Sequence, residues 1–346
     1  MARVKLDDLH LLAMKALMAA NTAESVADDV ARALVQADAD GVPSHGVSRV
    51  PSYAGQAASG KVDGHAVSRL EQTAKASIRV DAMGGFAYPA INLGIGQARK
   101  LAQETGICGL AIGNSHHGGV GGHPVEALAR DGLIGIGFLN APAAIAPWMG
   151  NRALYGTNPI SFACPRPSAD GDAWGDPILV DLALSKVARG KIMLAANKGE
   201  PIPEGWATDK HGQSTTDAKE ALDGGMMIPM GDAKGAALVL MVEILAATIT
   251  GSNHGFEASS FFSPDGAPPK VGQFFLVIDP SAFAHEDEET AYNTFIERIG
   301  TLVEAITEQD GAWLPGVDRW ANRAKAEADG VDIPDALLKE LQERAG

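Results

Sequence analysis

The segment Pro43-Ser44-His45-Gly46-Val47-Ser48-Arg49 sets a histidine beside a serine, with an arginine four residues on. An imidazole titrates near neutral pH, so it gives or takes a proton under ordinary conditions. A guanidinium clamps a carboxylate through two parallel hydrogen bonds. At i and i+4 the two side chains share one side of a helical turn. Together they suit an acid that reacts one or two atoms from its carboxylate: a 2-oxo, 2-imino or 2-hydroxy acid. A capped or surface histidine is the alternative reading, and the pair alone leaves it open.

Three further stretches carry possible chemistry. In HHGGVGGHPVEALARDG, Pro124 reads as the first helical residue and His123 as its N-cap. Gly118, Gly119, Gly121 and Gly122 leave bare amides ahead of that helix. Such a nest suits a pyrophosphate, although a plain flexible loop fits equally. In MIPMGDAKGAALV, Lys234 stands at a helix N-terminus, where the dipole disfavours a cation unless a phosphate sits there. A solvated lysine is the alternative. In ILVDLALSKVARGKI, Asp181 ends an apolar strand, where a carboxylate needs a partner. It can orient a histidine, accept from a ribose or amide, or cap the next helix.

Several classes are excluded. The glycine pairs 94/96, 119/121 and 135/137 have Arg99, Pro124 and Asn140 where a dinucleotide fingerprint needs a third small residue, so a Rossmann reading is unsupported. There is no P-loop and no HExxH. The His116, His117 and His123 group has only Glu126 close by, and adjacent histidines on a strand diverge, so no metal is expected. The formal charge of -15 argues against nucleic acid and against anionic membranes. Cys108 and Cys164 have no metal-binding or redox spacing, which points to a reducing, cytoplasmic setting. Asp7 and Asp8 stand just ahead of the N-terminal apolar stretch that begins at Leu9, unlike a secretory signal. The run from Gly235 to Gly251 contains Glu243, is short for a membrane span, and reads as a buried helix.

The elements that must position these residues fall into two textures. Val26, Val30 and Leu34 make one apolar helical face after Thr22, a plausible N-cap. Pro51 suits the first turn of a helix that Gly60 stops. From about Ser77, short strand-like runs (SIRVD, GLAIG, LIGIGFLN, PISFACP, PILVDLA, QFFLVID) alternate with helical patterns. The end is helical again, with Tyr292, Phe295, Ile299, Leu302 and Ile306 on one face. The expected division is a discontinuous helical domain, 1–75 with 285–346, around an α/β domain, 76–284.

Taken together, PSHGVSRVPSY, NSHHGG, GTNPISFACP, DLALSKVARGKI, IPEGWATDKHG, GGMMIPMG, FLVIDP and LPG resemble the malate/L-lactate/L-sulfolactate dehydrogenase family in both content and order. Within it the chain looks most like the Δ1-piperideine-2-carboxylate/Δ1-pyrroline-2-carboxylate reductases. The resemblance implies a homodimer with a non-Rossmann α/β fold: a mixed, largely antiparallel NAD(P)-binding sheet domain beside a helical domain built from both termini. It implies that His45 is the proton donor, with Ser44 and Asp181 as relay partners, and that Arg49 holds the substrate carboxylate. His117 and Thr157 would lie near the substrate. His117, Gly118, Gly119, Val120, Asn140, Leu179, Asp181, Leu182, Ala183, Ser185, Lys234, Gly316, Val317 and Asp318 would line the cofactor. NADP or NAD fits, NADPH slightly better, although Asp232 would repel a 2′-phosphate if it faced the pocket. The implied reaction is hydride transfer to C2 of a small 2-imino or 2-oxo acid. The alternatives are a malate/L-lactate-type 2-hydroxyacid dehydrogenase and a non-catalytic NAD(P)-binding regulatory protein.

Overall fold

A computed structural model describes residues 1–168, 175–283 and 288–346. The expected domain boundary at 284/285 lies outside them.

The chain begins with β1 (Ala2–Val4), α1 (Leu6–Met18) and α2 (Glu24–Ala39). Val26, Ala27, Val30, Ala31 and Leu34 form the buried face of α2 and pack on Leu9, Ala13 and Leu17 of α1. Thr22 is not the cap: its hydroxyl is buried without a partner, and α2 is entered from an extended Ala23 whose N–H is tied to the Gly64 carbonyl. Two 3-10 turns, Pro43–His45 and Val47–Arg49, lead into α3 (Val50–Ser59), which ends at Gly60 with φ of 78°.

The middle of the chain supplies β2 (Arg69–Ala74), β3 (Ser77–Asp81), α4 (Ala87–Thr105), β4 (Ile107–Ser115), α5 (Gly122–Arg130), β5 (Ile134–Leu139), β6 (Ile160–Cys164) and β7 (Ile178–Leu182). Next come α6 (Arg189–Lys198), the short β8 (Ala207–Thr208) and β9 (Ser214–Thr215), α7 (Ala218–Leu222), β10 (Met226–Met227) and α8 (Ala233–Glu243), which runs on as a π turn to Thr248. β11 (Val271–Ile278) follows, then α9 (Glu288–Thr307), α10 (Val317–Asp329), β12 (Val331–Ile333) and α11 (Asp335–Ala345).

The main sheet has seven strands in the order β2-β3-β4-β11-β5-β6-β7. Only β3 and β4 run parallel; every other neighbour is antiparallel. This mixed sheet explains why no Rossmann fingerprint exists, because that motif belongs to a parallel strand–turn–helix crossover. The late strand β11 inserts at the centre, with Phe275 fully buried and paired to Leu110 and Gly137. A Cβ at Gly137 would fall 2.9 Å from the Phe275 ring and 2.4 Å from Ser161 Oγ, so the strand is bare there by necessity.

The two ends of the chain meet. β1 pairs antiparallel with β12, and Ala326, Val331, Ile333 and Leu341 share one apolar core with α1 and α2. Helix α9 instead lies against the turn Pro280–Phe283, and Tyr292 donates to the Gly132 carbonyl. The α8 run is not buried throughout: Leu240 and Ile244 stay 44% and 46% exposed, while Val239, Val242 and Ala246 are covered. Among the described residues, no helix is long and apolar enough to cross a membrane.

Candidate active site

The last turn of α2 builds the His45 turn. Asp38 Oδ2 accepts the Val47 N–H at 2.7 Å, and the His45 N–H bonds the Val42 carbonyl at 2.9 Å. A Cβ at Gly46 would lie 2.1 Å from Asp38 Oδ1, so only glycine lets the carboxylate this close. Burial pushes the Asp38 carboxyl up to about 7. Ser44 Oγ sits 3.0 Å from His45 Nδ1. Arg49 Nε donates to the Ser44 carbonyl at 2.7 Å, and its guanidinium lies 4.4 Å above the Phe262 ring. Its Nη1 is buried without a partner. The guanidinium is therefore fixed by one edge and one face, and its remaining edge suits a carboxylate. Burial, then the Arg49 charge, lower His45 to about 4, so the free site holds a neutral imidazole.

The chain leaving β4 delivers the two adjacent histidines to different hydrogen-bond partners. His116 is buried, with Nε2 2.8 Å from Gln56 Oε1 and its ring among Tyr53, Phe86 and Phe261. Its place is in the core. His117 turns to the cleft: its ring centroid is 5.3 Å from that of His45 and 4.9 Å from that of Phe261. Its Nδ1 is 2.6 Å from the Tyr53 hydroxyl. Burial, then Arg49, hold His117 well below the usual histidine range.

The aromatic wall comes from the loop 255–270, which α3 pins. Lys61 Nζ donates to the carbonyls of Ser260, Ser263 and Asp265 at 2.7, 2.9 and 2.8 Å. Gln56 Nε2 donates to the Phe261 carbonyl at 2.7 Å, and Ser59 Oγ to that of Pro264 at 3.0 Å. These bonds seat Phe261 beside His117 and Phe262 beneath Arg49.

Asp181, at the end of β7, is committed elsewhere. Its Oδ2 accepts the Gly122 N–H at 3.1 Å and Arg319 Nη2 at 3.0 Å. No hydrogen bond joins it to Ser44 or His45; it acts on His45 as a charge, favouring the imidazolium. Behind it, Arg323 bridges Asp40 and Glu126, and His123 Nε2 is 3.0 Å from Asp40 Oδ2. Burial disfavours the Asp40 and Glu126 carboxylates, but hydrogen bonds from Arg323, joined by His123 and Arg130, hold both below their ordinary values. Helix α5 accordingly begins at Gly122, with Gly121 as cap, and His123 turns inward to Asp40. The expectation of a His123 cap and a Pro124 start is corrected by that contact.

The glycine loop is pressed onto the structure beneath it. A Cβ would fall 2.5 Å from Leu139 at Gly118, 2.6 Å from the Tyr88 hydroxyl at Gly119, and 2.5 Å from Arg319 Nη1 at Gly122. Gly119 also has φ of 68°, and Val120 is buried. Leu179 donates its N–H to the Pro315 carbonyl at 3.1 Å, and Gly316, with φ of 101°, packs against Leu179. Val317 and Asp318 open α10 beside it. Asn140 spends both ends of its amide on the Gly272 N–H and the Asn253 carbonyl, and Ser185 Oγ donates to the Val187 carbonyl. The Leu184 N–H bonds the Thr157 carbonyl, bringing Thr157 beside Ala183, while Leu182 is partly exposed. Lys234 is exposed in the first turn of α8, after Gly231 and Asp232 with φ of 62° and 56°.

Ser44, His45, Arg49 and His117 thus form one cluster, and the glycine loop, Asp181, Leu179 and Gly316 form a second beside it. Lys234 makes no hydrogen bond or ion pair with either among the described residues. A dinucleotide fits the second cluster, where Arg319 Nη1 is buried without a partner against the bare backbone at Gly122. Among the described residues no group of His, Cys, Asp and Glu could hold a metal ion.

The family model for malate/L-lactate dehydrogenase matches residues 4–342. The chain belongs to the malate/L-lactate dehydrogenase family. It is an NAD(P)-dependent oxidoreductase. It is 49% identical over 339 residues to a (2R)-3-sulfolactate dehydrogenase (NADP(+)) of Chromohalobacter salexigens, covering 98% of this chain and 97% of that one. It is 38% identical over 325 residues to a Δ1-pyrroline-2-carboxylate/Δ1-piperideine-2-carboxylate reductase of Pseudomonas syringae pv. tomato, covering 94% and 91%. The crystal structure of the Δ1-piperideine-2-carboxylate reductase of that organism superposes with a TM-score of 0.90 at 36% identity, over 99% of this chain and 100% of the other.

Sequence reading missed several residues that shape this dehydrogenase's cleft. Tyr53 stood inside the quoted PSHGVSRVPSY, four residues beyond Arg49 and so on the same helical side, which was a usable signal. Phe261, Phe262, Lys61 and Arg319 left no local signal, because long-range folding alone brings them in.

Proposed function

We propose that this chain interconverts a small 2-oxo acid and its 2-hydroxy acid with NADP(H), and that the 2-oxo acid carries a second acidic group at C3, as sulfopyruvate does. The observation that carries the reading is the half-fixed Arg49 guanidinium, with a buried unpartnered Nη1, beside two neutral histidines. Arg49 binds the substrate carboxylate. His45 donates the proton to the C2 oxygen in reduction and takes it back in oxidation, with Ser44 holding its Nδ1. Asp181 supplies a fixed negative charge behind that ring.

The sulfonate reading is supported by the 49% identical relative and by one further feature. A Cβ on Gly190, in the first turn of α6, would stand 3.8 Å from Ser44 Cβ, so this helix starts at the cleft. Its neighbour Arg189 is half-buried with no carboxylate partner among the described residues, and burial lowers its pKa. An unpaired, partly desolvated guanidinium favours an anionic ligand group.

The cofactor reading names the Gly118–Gly122 loop, Leu179 to Ser185, Arg319 and the Gly316–Asp318 turn as the residues that would hold a nicotinamide dinucleotide, with Lys234 toward its 2′-phosphate. When bound, that group supplies the hydride. The reading includes a homodimer, supported by the exposed apolar row Leu240, Ile244 and Ile249, a cytoplasmic setting, and a helical unit distinct from the sheet unit.

A second reading, reduction of a cyclic 2-imino acid, is favoured by the 38% identical relative and the close superposition on a piperideine-carboxylate reductase. A spectrophotometric panel separates the two. Sulfopyruvate, oxaloacetate, pyruvate and the two cyclic imines are each offered with NADPH and with NADH. The first reading expects sulfopyruvate to lead by at least tenfold in kcat/KM. A lead by a cyclic imine replaces it with the second, and binding of NADPH without turnover of any acid removes both.

A further inference from the structure

The cleft holds two histidines, and each is anchored by a hydroxyl at the same ring atom. Ser44 Oγ is 3.0 Å from Nδ1 of His45, and the Tyr53 hydroxyl is 2.6 Å from Nδ1 of His117. Neither Nε2 has a protein partner among the described residues. The two rings lie 5.3 Å apart and only 31° from parallel.

Tyr53 is fully buried on α3, and its hydroxyl is also 3.3 Å from that of Tyr88 on α4. The Tyr88 hydroxyl in turn touches the backbone of Gly119, where a Cβ would come within 2.6 Å. The direction of this chain of hydrogen bonds follows from ordinary acidities. A phenol is a better donor than a neutral imidazole N–H, and an imidazole nitrogen is a better acceptor than a phenol oxygen. Tyr53 therefore donates to His117 Nδ1, and Tyr88, whose proton remains, donates to Tyr53. Burial keeps both phenols protonated and His117 neutral, which fixes all three in these roles. With Nδ1 accepting, the single proton of His117 resides on Nε2, on the side of the ring that faces away from Tyr53.

We propose that Tyr53, backed by Tyr88, is a positioning residue that locks His117 in its Nε2–H tautomer, so that His117 serves as a neutral hydrogen-bond donor to the substrate's C2 oxygen while His45 transfers the proton. A neutral imidazole held this way stabilises developing negative charge without competing with His45 for the proton. The division of labour rests on the functional reading above, but the tautomer does not.

The test uses full-length protein with NADPH bound, labelled with 15N-histidine, without substrate. Long-range proton–nitrogen spectra separate the tautomers of each ring, and His117→Gln assigns the signals. The expected result is His117 as Nε2–H in the wild type and a mixture of tautomers in Tyr53→Phe. Tyr53→Phe is expected to lower kcat about tenfold with KM within about twofold, the loss of one well-placed hydrogen bond. Tyr88→Phe is expected to act in the same direction and less. His117→Gln keeps an N–H near the Nε2 position and is expected to retain at least ten times the kcat of His117→Ala. An Nδ1–H tautomer in the wild type overturns the proposal, as does Tyr53→Phe with both the tautomer and kcat unchanged. If no 2-oxo or 2-imino acid turns over while the tautomer result holds, the functional reading fails and the Tyr53–His117 lock stands.

Discussion

At pH 7, an imidazole with a pKa of about 4, like that of His45 in the free site, is protonated about one time in a thousand. Reduction needs the imidazolium, so the free site carries a deficit of about 4 kcal/mol. A substrate carboxylate seated on Arg49 leaves the burial in place but sets a negative charge against that of Arg49, near the ring. One unit charge at about 4 Å, in an effective dielectric of about 20, contributes about 4 kcal/mol. The two figures are of comparable size, so an anionic substrate is expected to raise its own proton donor toward neutrality. The perturbation is pH, and the sign follows directly. For reduction, kcat/KM reports the free protein and is expected to fall about tenfold per unit from pH 5 to 8. The corresponding kcat is expected to break nearer neutrality, because the bound site has the raised value. For oxidation of the 2-hydroxy acid, which needs neutral His45, kcat/KM is expected to stay level over that range. Binding of the 2-hydroxy acid to the NADPH-loaded protein is expected to take up about half a proton at pH 7. Calorimetry in buffers of differing ionisation enthalpy measures this. A pH-independent reduction kcat/KM, together with no proton uptake, would refute the coupling between Arg49, the bound anion and His45.

Three further outcomes follow from the same geometry. Arg49→Lys is expected to raise KM for the acid at least tenfold, because an ammonium reproduces neither the fork nor the stacking on Phe262; steady-state kinetics with both cofactors checks it. Gly46→Ala drives a methyl group onto the Asp38 carboxylate and is expected to cost about 1–3 kcal/mol in urea unfolding and to lower kcat, since the His45 turn must shift. Lys61→Met removes three hydrogen bonds to the carbonyls of the loop 255–270 and is expected to cost about 2–4 kcal/mol and to raise KM for the acid. An unchanged KM in that variant would mean that Phe262 does not brace Arg49.

By itself the sequence determined the parts of this protein that are local. His45 and Arg49 themselves end two successive 3-10 turns split by an extended Gly46 and not one helical turn, whereas the helix after them carries Pro51 in its first turn and stops at Gly60 for reasons internal to those residues. The same holds for the runs that became β4, β5, β6, β7 and β11, and the missing third glycine told against a Rossmann sheet before any fold was known. What lay beyond it is set by contacts between distant segments. Strand β11 crosses to the middle of the sheet, α5 begins two residues early because His123 is drawn to Asp40, and Asp181 is claimed by Arg319 from 138 residues away. The doubled histidine shows the limit most plainly: two identical neighbours became a core residue held by Gln56 and a cleft residue held by Tyr53. Only packing beyond the end of β4 decides which of the two is inside, and that packing is made by residues the local sequence does not contain.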